Sequence, residues 1–148
     1  MKKLKLNMYE TAIQDETEFL IQLIQYFDDI DIHKTNDRYN FVDFELKKQD
    51  SHFLNLELKS RDNISTFRSL RIGYVKLNAL VNLKHDTILV WLCKHTKSFY
   101  YCIFQPFMLD LELQYDGRSS YVEIPKSFMV HSNSLKSLSE LISEYSIL

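Results

Sequence analysis

The 148-residue chain is 45% apolar and 26% charged with a formal net charge of −2, which excludes a disordered polar segment and fits one folded domain over residues 1–148. No run approaches the roughly 18 apolar residues that cross a bilayer. The basic start MKKLKLNMYE lacks a signal peptide's apolar core because Glu10, Asp15 and Glu16 interrupt it, so an intracellular, cytoplasmic protein is expected, of cellular, viral or phage origin.

The first element is a helix, with Tyr9, Ile13, Glu16, Leu20, Leu23 and Phe27 spaced by three or four along one face. Glu16 is the polar residue on that apolar face. It either lies at the exposed first turns, where negative charge suits the helix dipole, or looks into a polar pocket. After an acidic loop, DDIDIHKTNDR, the stretch YNFVDFELK alternates as a strand. Tyr39, Phe41, Asp43 and Glu45 share one face, and Val42, Phe44 and Leu46 share the other. QDS at 49–51 is a turn, and FLNLELKSRD follows as a second strand with Leu54, Leu56 and Leu58 on its buried face and Phe53, Asn55, Glu57 and Lys59 opposite.

Tyr74, Leu77, Leu80 and Val81 mark a second helix. Gly73 is its N-cap, since a glycine inside a helix costs about 1 kcal/mol relative to alanine, and the segment before it is irregular or extended. TILVWLC and FYYCIF are strands joined by the polar turn KHTKS, YVEIP is a shorter strand, and SNSLKSLSELISEYSIL closes the chain as an amphipathic helix with Leu135, Leu138, Leu141 and Ile142 inward. Trp91, Tyr100, Tyr101 and Phe104 are expected in the core, as are Cys93 and Cys102. The order is αβββ, or αββ with one more strand in the loop, then αββ, a short strand and a C-terminal helix. That order implies an α/β (α+β) fold, a mixed central sheet flanked by helices.

A turn centred on residue 50 pairs position i with 100 minus i, which sets Asp43 opposite Glu57. Directly opposed side chains have Cβ atoms roughly 4.5–5.5 Å apart. Two carboxylates at that separation repel unless a cation or a shared proton relieves them. Mg²⁺ does so with one or two carboxylates, completing its octahedron with water and phosphate oxygens. Lys59 projects from the same face as Glu57 and can orient water and stabilise charge on a phosphate. On the bland reading, Glu57 and Lys59 form a surface ion pair worth about 0–1 kcal/mol and Asp43 is a rim residue.

Asp43, thirteen intervening residues, then Glu57-Leu58-Lys59 resembles the PD-(D/E)XK nuclease superfamily, which includes restriction enzymes, Holliday junction resolvases and repair nucleases. The similarity covers roughly residues 9–105, with Glu16 matching the first-helix glutamate and Lys76 the residue that the next helix carries towards the substrate. Val42 stands where the motif's name puts proline. The resemblance implies an αβββαβ restriction-endonuclease-like core and Mg²⁺ or Mn²⁺ held by Asp43, Glu57 and the Leu58 backbone carbonyl. In it, Glu16 binds or tunes the metal and Lys59 assists the attacking water.

The function implied is a metal-dependent endonuclease on DNA. A homodimer suits a small enzyme that cuts both strands. The charge distribution bears on the same question. Residues 59–97 hold eight basic and two acidic side chains, a net +6, and the remainder holds ten basic and eighteen acidic, a net −8. That basic middle is either a phosphate footprint or a solvated surface. Arg61, Arg68, Arg71 and Lys76 are its candidate nucleic-acid contacts. The alternative function is a noncatalytic nucleic-acid-binding or assembly module on the same fold. Two cysteines and five histidines offer no zinc spacing, and no P-loop, dinucleotide or Ser-His-Asp pattern is present.

Overall fold

A computed structural model describes residues 4–5, 14–35, 42–61, 67–93 and 97–148. The elements are β1 (Leu4–Lys5), α1 (Gln14–Ile24), β2 (Ile30–Lys34), β3 (Phe44–Lys48), β4 (Ser51–Arg61), β5 (Ser69–Gly73), α2 (Tyr74–Leu80) and β6 (Thr87–Cys93). β7 (Phe99–Ile103), β8 (Gln114–Tyr115), β9 (Ser120–Pro125), β10 (Val130–Ser132) and α3 (Lys136–Ser146) follow. Seven strands form a mixed sheet in the order β1-β2-β3-β4-β6-β7-β10, and β5-β9-β8 form a separate antiparallel sheet. The run α1-β2-β3-β4-α2-β6 is the expected αβββαβ core, with β5 inserted before α2.

Two apolar cores cover the two faces of the large sheet. On one, Phe19, Leu20, Leu23 and Ile24 of α1 and Leu138 and Ile142 of α3 pack against Leu54, Leu56 and Leu58. Each such side chain taken from water contributes roughly 1.5–3 kcal/mol. On the other, Leu77 and Leu80 of α2 meet Trp91, Tyr100 and Cys102 of the large sheet and Val122 and Ile124 of the small one. β4, between antiparallel β3 and parallel β6, is therefore covered on both faces. Cys93 and Cys102 are buried thiols, but Cys102 stands opposite Leu89, so the hairpin does not set the two against one another. Among the described residues no helix is long and apolar enough to cross a membrane.

Several sequence expectations need correction. The further strand that the element order allowed in the loop is β2, where Ile30 and Ile32 alternate into the core while charged neighbours face outward. The extended segment before Gly73 is β5, which pairs with β9. Gly73 does cap α2. Val42 does not share a face with Phe44 and Leu46. β3 starts only at Phe44, and the bend before it sends Val42 into the opposite core. Phe53 likewise packs with Leu54's core, because a bulge between Leu46 and Lys47 leaves it the extra residue on β4. Tyr9, Ile13, Tyr39 and Phe41 lie outside the described residues.

Candidate active site

The β3–β4 hairpin turns through Gln49 and Asp50, both with positive φ (52° and 64°), the pattern of a two-residue hairpin loop that follows the strands' twist. Beyond the bulge, Phe44, Glu45 and Leu46 pair with Leu56, Asn55 and Leu54. This is the inferred register, and its next step sets Asp43 beside Glu57. Asp43 sits in the bend before β3 and is anchored to the end of β2. Its carbonyl accepts the Thr35 N–H at 3.0 Å, and the Thr35 hydroxyl donates to the Val42 carbonyl. Across the hairpin its Oδ2 accepts the Leu58 N–H at 3.1 Å. In a strand the N–H and C=O of one residue point to the same side, so the Leu58 carbonyl is directed towards Asp43 as well.

Glu57 is only 1% exposed, so its charge demands compensation. Two ammonium groups provide it. Lys76 Nζ, reaching from α2, lies 2.5 Å from Glu57 Oε1 and 3.5 Å from Asp43 Oδ1, and Lys59 Nζ lies 3.6 Å from the same Glu57 oxygen. Glu57 Oε2 is buried with no hydrogen-bond partner among the described residues. Burial, then the Asp43 charge, pushes the Glu57 carboxyl up to about 7 against the pull of both lysines. Glu16, half-buried in the first turn of α1, is likewise pushed up to about 7 by burial and then by Asp43, opposed by Lys34, Arg61 and Lys59. It thus feels the Asp43 charge from the first turn of α1. Burial lowers the Lys59 pKa despite Glu57. Burial also acts to lower Lys76, but Glu57 and Asp43 outweigh it and raise the pKa.

The arrangement suits a hard divalent cation in its donor chemistry: two converging carboxylates, one with an orphaned buried oxygen, and a cation already drawn between them. Among the described residues no three His, Cys, Asp or Glu side chains form a ready-made metal cage. A cation here would rest on Asp43 and Glu57 with backbone and water oxygens, a donor set typical of Mg²⁺.

The four basic candidates divide into two groups. Lys76 joins the carboxylates. Arg61, Arg68 and Arg71 instead line one cleft of about 350 Å³, together with Phe67, Trp91 and Glu123. The period-two run Glu57, Lys59, Arg61 places Arg61 at the cleft's near edge. Phe67 and Glu123 had no sequence signal: β5–β9 pairing sets Glu123 opposite Arg71, and Phe67 sits in the stretch leading into β5.

No protein-family model matches the chain and no curated protein matches it in sequence. Among solved structures it is similar to Hjc, a Holliday junction resolvase from the archaeal hyperthermophile Archaeoglobus fulgidus, at 12% identity with a TM-score of 0.52, over 86% of this chain and 93% of that one. The likeness is one of fold.

Proposed function

We propose that the protein, as one domain over residues 1–148, is a metal-dependent endonuclease that hydrolyses phosphodiester bonds in DNA. The observation that carries this reading is the convergence of Asp43, Glu57, Lys59 and Lys76 at the end of the β3–β4 hairpin. A resolvase as structural neighbour supports DNA as the substrate. Asp43, Glu57 and the Leu58 carbonyl would hold Mg²⁺ or Mn²⁺, and Glu16 tunes the site's charge from α1. Such an ion, when bound, supplies a Lewis acid for the phosphoryl oxygen and a more acidic water. Lys59, whose lowered pKa eases proton exchange, orients the attacking water and takes up or returns its proton. With such an ion on the carboxylates, Lys76 would be free to meet the phosphate's charge. Each protomer offers one such site, so cutting both strands calls for a homodimer.

One observation favours a noncatalytic nucleic-acid-binding module: Lys76 pairs with both Asp43 and Glu57 and offsets part of their charge. Incubation with plasmid, branched and single-stranded DNA in Mg²⁺ or Mn²⁺ separates the readings. The nuclease cleaves at least one of them and loses about 100-fold or more with Glu57→Ala or Lys59→Ala. Absence of cleavage, or cleavage that survives both substitutions, would refute it.

A further inference from the structure

We infer that the arginine cleft is a pocket for a single unpaired nucleotide next to the scissile phosphate, so that the substrate is DNA with a flap, branch or single-stranded stretch. This rests on the nuclease reading and narrows its substrate class. Arg61 follows Lys59 by two residues on β4, about 6.6 Å along the same face, and its charge is felt at both Lys59 and Glu16. Trp91, the neighbour of Lys59 in the β4–β6 register, lines the cleft from below with its Nε1 donating to the Arg71 carbonyl at 3.1 Å. The cleft therefore begins within a nucleotide or so of the proposed chemistry.

The lining has the two components a nucleotide requires. Three guanidinium groups face one carboxylate, Glu123, leaving a surplus of positive charge for a phosphate. Two of them are held in place: Arg71 by Glu123 at 3.8 Å and by the Tyr121 ring 4.1 Å beneath it, and Arg61 by the Ser60 carbonyl at 2.9 Å. Arg68 is exposed and has no ion-pair partner among the described residues. The aromatic component is Phe67, whose 57% exposure is a cost in water and becomes useful when a base stacks on it. A concave site of this volume falls in the range of single-ligand pockets. A stacked duplex hides its base faces, so only an unstacked nucleotide can enter.

Trp91 is 1% exposed in the core, so occupancy of the cleft is read by titration calorimetry rather than by its fluorescence. The intact protein in EDTA is titrated with a 5′-phosphorylated single-stranded oligonucleotide, a flapped duplex, a blunt duplex and inorganic phosphate. Single-stranded and flapped DNA should bind saturably, and the blunt duplex should bind about tenfold or more weaker. Phe67→Ala, at an exposed position that leaves both cores intact, should weaken the oligonucleotide about tenfold while inorganic phosphate is unaffected. The double variant Arg68→Ala/Arg71→Ala should weaken both. Equal affinity for blunt and unpaired DNA, or oligonucleotide binding indifferent to Phe67→Ala, overturns the pocket. No metal or cleavage enters this titration. Binding of unpaired DNA by a protein that never cuts sustains the pocket and refutes the nuclease, and Phe67-independent cutting of any duplex does the reverse.

Discussion

Removing the Lys76 charge isolates what holds Asp43 and Glu57 together. Lys76→Met keeps most of the aliphatic stem and deletes the ammonium 2.5 Å from Glu57 Oε1 and 3.5 Å from Asp43 Oδ1. Stripping one partner from a fully buried ion pair costs about 3–5 kcal/mol. Here the Lys76 and Asp43 side chains keep 31% and 27% of their exposure, and Lys59 still stands near Glu57. Solvent and the second cation together reduce the cost to about 1–3 kcal/mol. Glu57 can also escape by protonation, because its pKa of about 7 rises further once the pull of Lys76 is gone. The loss is therefore small at about pH 5.5, where the carboxyl is neutral in both proteins, and full at about pH 8.5. At roughly 2–4 °C per kcal/mol for a chain of this size, Tm should fall by about 3–10 °C at the alkaline pH. Thermal unfolding followed by circular dichroism in EDTA measures this. An equal loss at both pH values, or none at either, would refute the claim that Lys76 compensates a buried carboxylate pair.

Three further outcomes follow from the same site. Glu16 and Glu57 both stand near 7 in the folded protein against an ordinary 4.5. The native state thus holds more protons than the unfolded chain between those values, and metal-free stability should fall as pH rises through that window and level off above it. Urea denaturation across the window checks this, with Glu57→Gln flattening the slope. Mn²⁺ should raise the Tm of the wild type, and more so that of Lys76→Met, where no ammonium competes for the carboxylates. A Mn²⁺ response identical in the two proteins contradicts the shared position. In the core, Leu56→Ala removes a fully buried side chain and should cost about 2–5 kcal/mol in urea unfolding without altering Mn²⁺ binding.

Part of the site was legible because alternation fixes a strand's faces and a turn over 49–51 pairs i with 100 minus i. The observed two-residue turn alone pairs i with 99 minus i, as in Lys48 with Ser51, and the bulge restores the sum of 100. Asp43 beside Glu57 therefore needs the bulge as well as the turn, whereas Lys59 on the side of Glu57 follows from alternation alone. The bulge that moves Phe53 and the bend that moves Val42 leave no such trace, since each depends on where pairing starts or slips. β2 was hidden because only Ile30 and Ile32 mark it amid charged residues. The resemblance carried Lys76 towards the site, but its seat between the carboxylates was out of reach. Its helix was visible, but the reach of a four-carbon side chain depends on how α2 packs. The arginine cleft is a tertiary product too, for Arg61 comes from the large sheet and Arg68 and Arg71 come from the small sheet and the stretch leading into it.

The central claim is that Asp43 and Glu57 share one divalent cation. Crystals grown in Mn²⁺ and measured for anomalous scattering test it directly. The expected result is a peak bridging the two carboxylates, with the Leu58 carbonyl turned to it and the Lys76 ammonium displaced. A map with no peak there and Lys76 still seated between Asp43 and Glu57 would contradict it.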